Sequence, residues 1–197
     1  MPSSYAFRIA TVLALITLAP VALAHQQGAV DSGALVSGFM HPFGGIDHLL
    51  AMLAVGMWGA QLGRPALWML PVAFPMLMAA GGVLGIAGIP FPSVELGIAL
   101  SVVVLGAVIL LNARPPLAIS LAIVSGFALF HGYAHGVELP SQADPLPYSF
   151  GFVLATGLIH LAGIAIGLIT HLPRGLAMLR AGGAAIAATG VWLLVGL

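Results

Sequence analysis

Apolar residues run along this chain in long blocks, and the charged residues fall between the blocks. Charge-free runs cover 65–94, 96–113, 115–137, 145–173 and 181–197. A helix crosses the hydrocarbon of a bilayer with about 20 apolar residues, and several runs reach that length. The pattern predicts six membrane-spanning helices at about 33–62, 66–88, 94–112, 116–138, 148–170 and 175–196. Proline marks most of the breaks: Arg64-Pro65, Pro90 and Pro92, Pro115-Pro116, Pro147, and Pro173. It ends helices because it has no N–H to donate and clashes with the preceding turn. The expected fold is all-α and polytopic.

The N-terminus has a different pattern. Arg8 precedes a short apolar stretch, Ile9 to Leu18, and Ala22-Leu23-Ala24 is a small-x-small cleavage site. Residues 1–24 read as a cleavable signal peptide, leaving 25–197 as a six-helix transmembrane domain. Cleavage there would make His25 the mature N-terminus, where a free amine beside an imidazole could chelate a metal.

Composition narrows the field. Of 197 residues 61% are hydrophobic and 5% charged, so a soluble domain would lack the polar surface it needs. Net charge is zero and lysine is absent, which excludes nucleic acid as a partner. There is no cysteine, so disulfides, thiolate metal sites and cysteine nucleophiles are all excluded. A bound metal must be held by nitrogen and oxygen.

Charge also orients the spans. With the mature N-terminus outside, the inward loops carry Arg64, Arg114 and Arg174, with Arg180 just inside the last span. The outward segments carry Asp31, Glu95, Glu138 and Asp144. That asymmetry obeys the positive-inside rule. The expected location is the bacterial cytoplasmic membrane, multi-pass, with a periplasmic mature N-terminus.

Against this apolar background two polar stretches stand out, because ionisable groups at membrane depth are costly and usually face a bundle interior or a water-filled path. The first, HPFGGIDH, carries His41, Asp47 and His48. Pro42, Gly44 and Gly45 between them favour a broken helix, the device by which transporters expose backbone at midplane ion sites. The second, FHGYAHGVE, carries His131 and His135 at i,i+4, with Glu138 three residues further on the same face. Such spacing lets side chains chelate one ion. His160, in the middle of the fifth span, is a further candidate. Glu95 either caps the third span or contributes to an entry funnel. Nitrogen and oxygen ligands without thiolate suit Ni²⁺, Co²⁺, Zn²⁺ or Cu²⁺ and poorly suit Mg²⁺ or Ca²⁺.

These two motifs resemble the signatures of the HupE/UreJ family. His41 to His48, followed by Leu49-Leu50-Ala51-Met52 and Val55-Gly56, is similar to the first, and Phe130 to Glu138 to the second. The leader, the later spans and the length match as well. The resemblance implies a secondary permease for nickel, sometimes cobalt, supplying hydrogenase or urease maturation or cobalamin synthesis. It implies that His41, Asp47, His48, His131, His135 and Glu138 are the functional positions. The metal would be cargo, with no permanently bound cofactor. Homo-oligomers are compatible with it.

Three rival readings use the same residues. An intramembrane metalloenzyme would need a general base beside its ligands, and the chain has neither HExxH nor GxSxG. A copper carrier could use His25 with Met40, Met52 and Met57, although methionine at such positions usually packs. A haem protein could use His48 and His160 as axial ligands. No GxxxxGK[ST] is present, so this chain does not itself carry that ATP site. The spans also divide into halves of three, 33–112 and 116–196, with opposite topology, as in inverted-repeat transporters.

Overall fold

The computed structural model describes residues 30–138 and 145–197. The expected signal peptide, His25 and Asp144 lie outside the described residues. Within them are seven α-helices and no strand. They are α1 (Val30–Met40), α2 (Ile46–Leu62), α3 (Ala66–Ile86), α4 (Val94–Leu110), α5 (Leu117–Val137), α6 (Pro145–Gly167) and α7 (Gly175–Val195). Two 3₁₀ turns, His41–Phe43 and Leu168–His171, follow α1 and α6.

Four helices, α3, α5, α6 and α7, are long and apolar enough to cross a bilayer. In their most apolar windows only 28%, 33%, 44% and 22% of the residues are buried inside the molecule, so most of each window faces outward. Trp68, Val72, Met76, Val83 and Leu154 belong to this outer surface. A continuous apolar exterior of that kind fits lipid and not water. The chain is a multi-pass membrane protein. Helix α4 is shorter, at 17 residues, or about 26 Å of rise.

The first expected span is not one continuous rod. It is two helices meeting at 78°, and the break falls on the Pro-Gly-Gly segment. Pro42 occupies the 3₁₀ turn, and Gly45 adopts extended backbone (φ −113°, ψ 121°) before α2 begins. Extended backbone cannot continue the i→i−4 ladder, so the axis redirects there. Helix α1 turns aside and packs on the start of α6, where Gly38 meets the Tyr148 backbone and Gly151 meets Leu35.

Glycines set the closest helix contacts, since a missing Cβ lets backbones approach. A Cβ at Gly132 would collide with the Met78 carbonyl, and one at Gly136 with that of Gly82, so α5 lies backbone-to-backbone along α3. Gly56 and Gly163 do the same for α2 and α6, and Gly106 and Gly183 for α4 and α7. Under exchange of the two three-helix halves, α2–α6 and α3–α5 are corresponding pairs, and α4–α7 corresponds to itself. The core between them holds Trp58, Phe74, Met52, Leu70, Leu105 and Ile109, each under 2% exposed.

Side chains from two helices tie down the far end of α4. Gln61 Nε2 donates to the Ile109 carbonyl (3.2 Å) and to Asn112 Oδ1 (2.9 Å). Trp58 Nε1 donates to the Ala113 carbonyl (3.2 Å), and Arg180 Nε to the Leu110 carbonyl (2.7 Å). The last carbonyls of a helix have no partner within it, so these bonds satisfy groups that would otherwise be orphaned in an apolar setting. Arg64, Arg114 and Arg174 lie in the loops at this same end.

Candidate metal site at the helix break

At the opposite end the break in the first span meets the last turns of α5. His41 is supplied by the 3₁₀ turn, Asp47 and His48 by the first turn of α2, and His131, His135 and Glu138 by the end of α5. A cavity of about 340 Å³ is lined by His41, Gly44, Gly45, Asp47, His48, Glu95, Ile98, Ala134, His135 and Glu138. Its wall is rich in polar groups, in contrast to the apolar helices around it.

Three of the sequence candidates converge on one point. One ligand atom each from His41, His135 and Glu138 lies within 4.8 Å of the others. His135 Nδ1 is 2.9 Å from His41 Nε2, and His41 Nε2 is 3.4 Å from Glu138 Oε2. Two imidazole nitrogens at hydrogen-bond distance must share a proton. A cation inserted between two lone pairs would take its place, with release of that proton. Glu138 is the most exposed of the trio, with 56% of its side chain accessible against 26% for His41. The carboxylate therefore lies on the solvent side of the imidazoles.

Asp47 and His48 form the next layer. Asp47 Oδ1 accepts from the His48 backbone N–H (2.7 Å) and lies 2.8 Å from His48 Nδ1. A carboxylate only accepts, so Nδ1 is the nitrogen bearing hydrogen. That leaves Nε2 as the lone pair, and His48 Nε2 is buried with no partner. A carboxylate holding one imidazole nitrogen so that the other can bind metal is a recurrent arrangement around metal ions. An acid in the first turn of α2 is also favoured by the helix dipole.

His131 follows the same logic with a different partner. Its Nε2 is 2.8 Å from Ser101 Oγ, on α4. The Ser101 hydroxyl lies 2.6 Å from the Ile98 carbonyl, to which it donates. A hydroxyl has one hydrogen, so it accepts from His131 Nε2–H and leaves His131 Nδ1 as the lone pair. That nitrogen is buried and unpartnered, as is His135 Nε2. The rings stand close: His48 is 4.6 Å from His131 and 4.4 Å from His135, centroid to centroid.

Spacing alone paired His131 with His135. The fold separates their roles, placing His135 with His41 and Glu138 and turning His131 toward Ser101 and His48. Glu95 lies in the first turn of α4 and also lines the cavity. His160 is 2% exposed but does not line the cavity. Met52 and Met57 are part of the buried apolar core, where packing explains them, and Met40 is 49% exposed. Ser101 was not singled out in the sequence. A lone serine in an apolar span was its only signal, and a small hydroxyl residue is unremarkable in a membrane helix. The aromatics facing the site, Phe152 (4.5 Å from His135) and Tyr148 (5.9 Å from His41), were likewise hidden among other apolar residues.

These features define a multi-pass helical membrane protein with an imidazole–carboxylate cluster at one end of its bundle, suited to a borderline divalent cation. The chain belongs to the HupE/UreJ family. The family model described as HupE / UreJ protein matches residues 13–193. Protein HupE of Rhizobium leguminosarum bv. viciae is 42% identical over 189 residues, covering 96% of this chain and 98% of that protein. No solved structure matches the chain.

Proposed function

We propose that this chain is a secondary permease that takes up a divalent transition-metal cation, Ni²⁺ or Co²⁺, for hydrogenase or urease maturation or cobalamin synthesis. It acts in the bacterial cytoplasmic membrane as six spans following a cleaved leader, with its mature N-terminus in the periplasm. The cation is cargo and the chain is not an enzyme. The observation that carries this reading is the convergence of His41 Nε2, His135 Nδ1 and Glu138 Oε2 within 4.8 Å. Behind them His48 and His131 each keep one buried, unpartnered nitrogen. Family membership supports the choice of nickel or cobalt, and the arginines gathered at the other end support the orientation.

In this reading Glu95 and Glu138 attract the hydrated cation at the mouth, and His41 with His135 replace part of its water. Asp47 and Ser101 hold His48 and His131 in the tautomers that can receive it. A few moderate ligands bind well enough to select and weakly enough to release.

The test is radiolabelled nickel uptake into metal-starved cells. Wild type is compared with His41→Ala, His135→Ala and His48→Ala at equal membrane levels, with cobalt, copper and zinc as competitors. Uptake above vector that falls at least about tenfold in each variant is expected. Uptake by wild type no greater than by an empty vector, for nickel and every competitor, would sink the permease reading.

A further inference from the structure

A line of touching rings leads inward from the mouth. His41 to His135 is 4.8 Å, His135 to His48 is 4.4 Å and His48 to His131 is 4.6 Å. Phe74 on α3 continues it, 5.6 Å from His131, and His160 on α6 ends it, 5.5 Å from Phe74. His160 plays no part in the site described above. Both of its ring nitrogens are buried without a hydrogen-bond partner. One helical turn toward the mouth, the hydroxyl of Thr156, which is 0% exposed, is also without a partner.

Two orphaned polar groups side by side in an apolar interior are unusual, because buried polar groups are nearly always satisfied. Residues four apart share a helix face. Tyr148, Phe152, Thr156 and His160 therefore form one stripe on α6, and all four are buried. The outer part of that stripe touches the motif histidines: the Phe152 ring lies against His135 and against His41. The inner part ends at Thr156 and His160. The backbone of His160 rests on Gly56 of α2, eight residues beyond His48 and so about 12 Å further in.

We propose that His160 and Thr156 form a second, inner station for the same divalent cation, with the Phe74 ring as the barrier between it and the motif histidines. This rests on the permease reading above and names the next step along its path. One imidazole is a ligand suited to a borderline cation, and a neutral hydroxyl beside it adds only a weak one, which suits a station from which the ion must leave. The barrier is mounted where a helix is weak. Phe74 lies between Pro71 and Pro75 in α3. Neither proline can donate, so the carbonyls of Leu67 and Pro71 lose their usual i+4 partners. Displacing the ring disturbs fewer backbone bonds here than elsewhere in α3.

The test uses the full chain purified in detergent. Equilibrium dialysis against radiolabelled nickel counts ions per chain, and Co²⁺ titration followed by visible absorption reports their ligands. Wild type is expected to bind two ions. His160→Asn and Thr156→Val are each expected to weaken one of them about tenfold or more, leave the other unchanged, and lower nickel uptake in cells in parallel. His135→Ala should show the reverse, losing the outer ion and keeping the His160-dependent one. If His160→Asn is not monodisperse, Thr156→Val, which keeps the side-chain shape, and Thr156→Ser, which keeps the hydroxyl, decide between them. A wild type that binds one ion overturns the inner station, as do His160→Asn and Thr156→Val variants that titrate and transport like wild type. In either case uptake that still depends on His135 leaves the permease reading standing. No metal bound and no uptake by wild type would remove both.

Discussion

Gly44 and Gly45 are adjacent in the first motif, yet the fold predicts opposite consequences for an alanine at each. Neither has a positive φ. Gly44 sits at φ −75° and Gly45 at φ −113°, both accessible to alanine, so the difference is one of space. A Cβ on Gly44 would lie 3.3 Å from the His41 carbonyl, which needs to give by a few tenths of an ångström. A Cβ on Gly45 would lie 2.6 Å from Asp47 Oδ1 and 3.2 Å from His48 Nδ1. The first of these is closer than real Cβ atoms come, so the carboxylate has to swing away. That breaks the 2.7 Å and 2.8 Å bonds Asp47 makes to His48 and frees the imidazole to turn or change tautomer. Loss of a group that orients a metal-binding histidine typically costs about 10–100-fold in affinity or activity. Gly45→Ala is therefore expected to lower nickel uptake in that range, and Gly44→Ala to leave it within about twofold, since a compatible glycine-to-alanine change is mildly stabilising. Uptake is measured at equal membrane levels of both variants. Wild-type uptake by Gly45→Ala, or equal losses from both, would refute the claim that the Asp47–His48 pair fits only against a bare backbone.

Three further outcomes follow from the same geometry. Ser101→Ala removes the acceptor that holds His131 Nε2–H; nickel uptake is expected to fall about tenfold or more with protein levels unchanged, and unaltered uptake would count against a role for the His131 tautomer. Imidazole binds metal only when neutral, so acidifying the purified, metal-loaded wild type should release the metal with uptake of protons; metal release without proton uptake would contradict histidine ligation. Gly136→Ala would press into the Gly82 carbonyl and force α5 from α3, while Gly126→Ala meets nothing within 4 Å. The first is expected to lower thermal stability in detergent, on the order of 1–3 kcal/mol as for other overpacked sites, and the second to change it little; equal melting curves for both would argue against backbone contact between the two helices.

Much of the architecture is legible in the sequence itself. The apolar blocks are long and interrupted by proline, so each predicted segment contains a helix whose bounds lie near those expected. The break in the first segment was legible too, because Pro42, Gly44 and Gly45 interrupt the helix through local backbone chemistry. The ionisable residues gathered at the break stand out in the sequence by their rarity, since a titratable group in an apolar chain is conspicuous wherever it falls, whereas Ser101 does not.

What the chain order could not contain is which of those residues meet. His41 and His135 are 94 positions apart, and the 2.9 Å contact between them depends on the 78° turn at the break and on α5 lying against its neighbours. That seating is decided by Gly132 and Gly136 on the α3 backbone, a matter of steric fit between distant segments. Helical spacing therefore placed His131 beside His135, and only the packed bundle assigned His131 to Ser101 and His48. The stripe of Thr156 and His160 was hidden for the same reason: its four-residue period is visible in the sequence, but which neighbours leave both groups unpartnered is fixed by three helices at once. Local periodicity reports on one helix at a time, whereas a ligand set is a property of the space between helices.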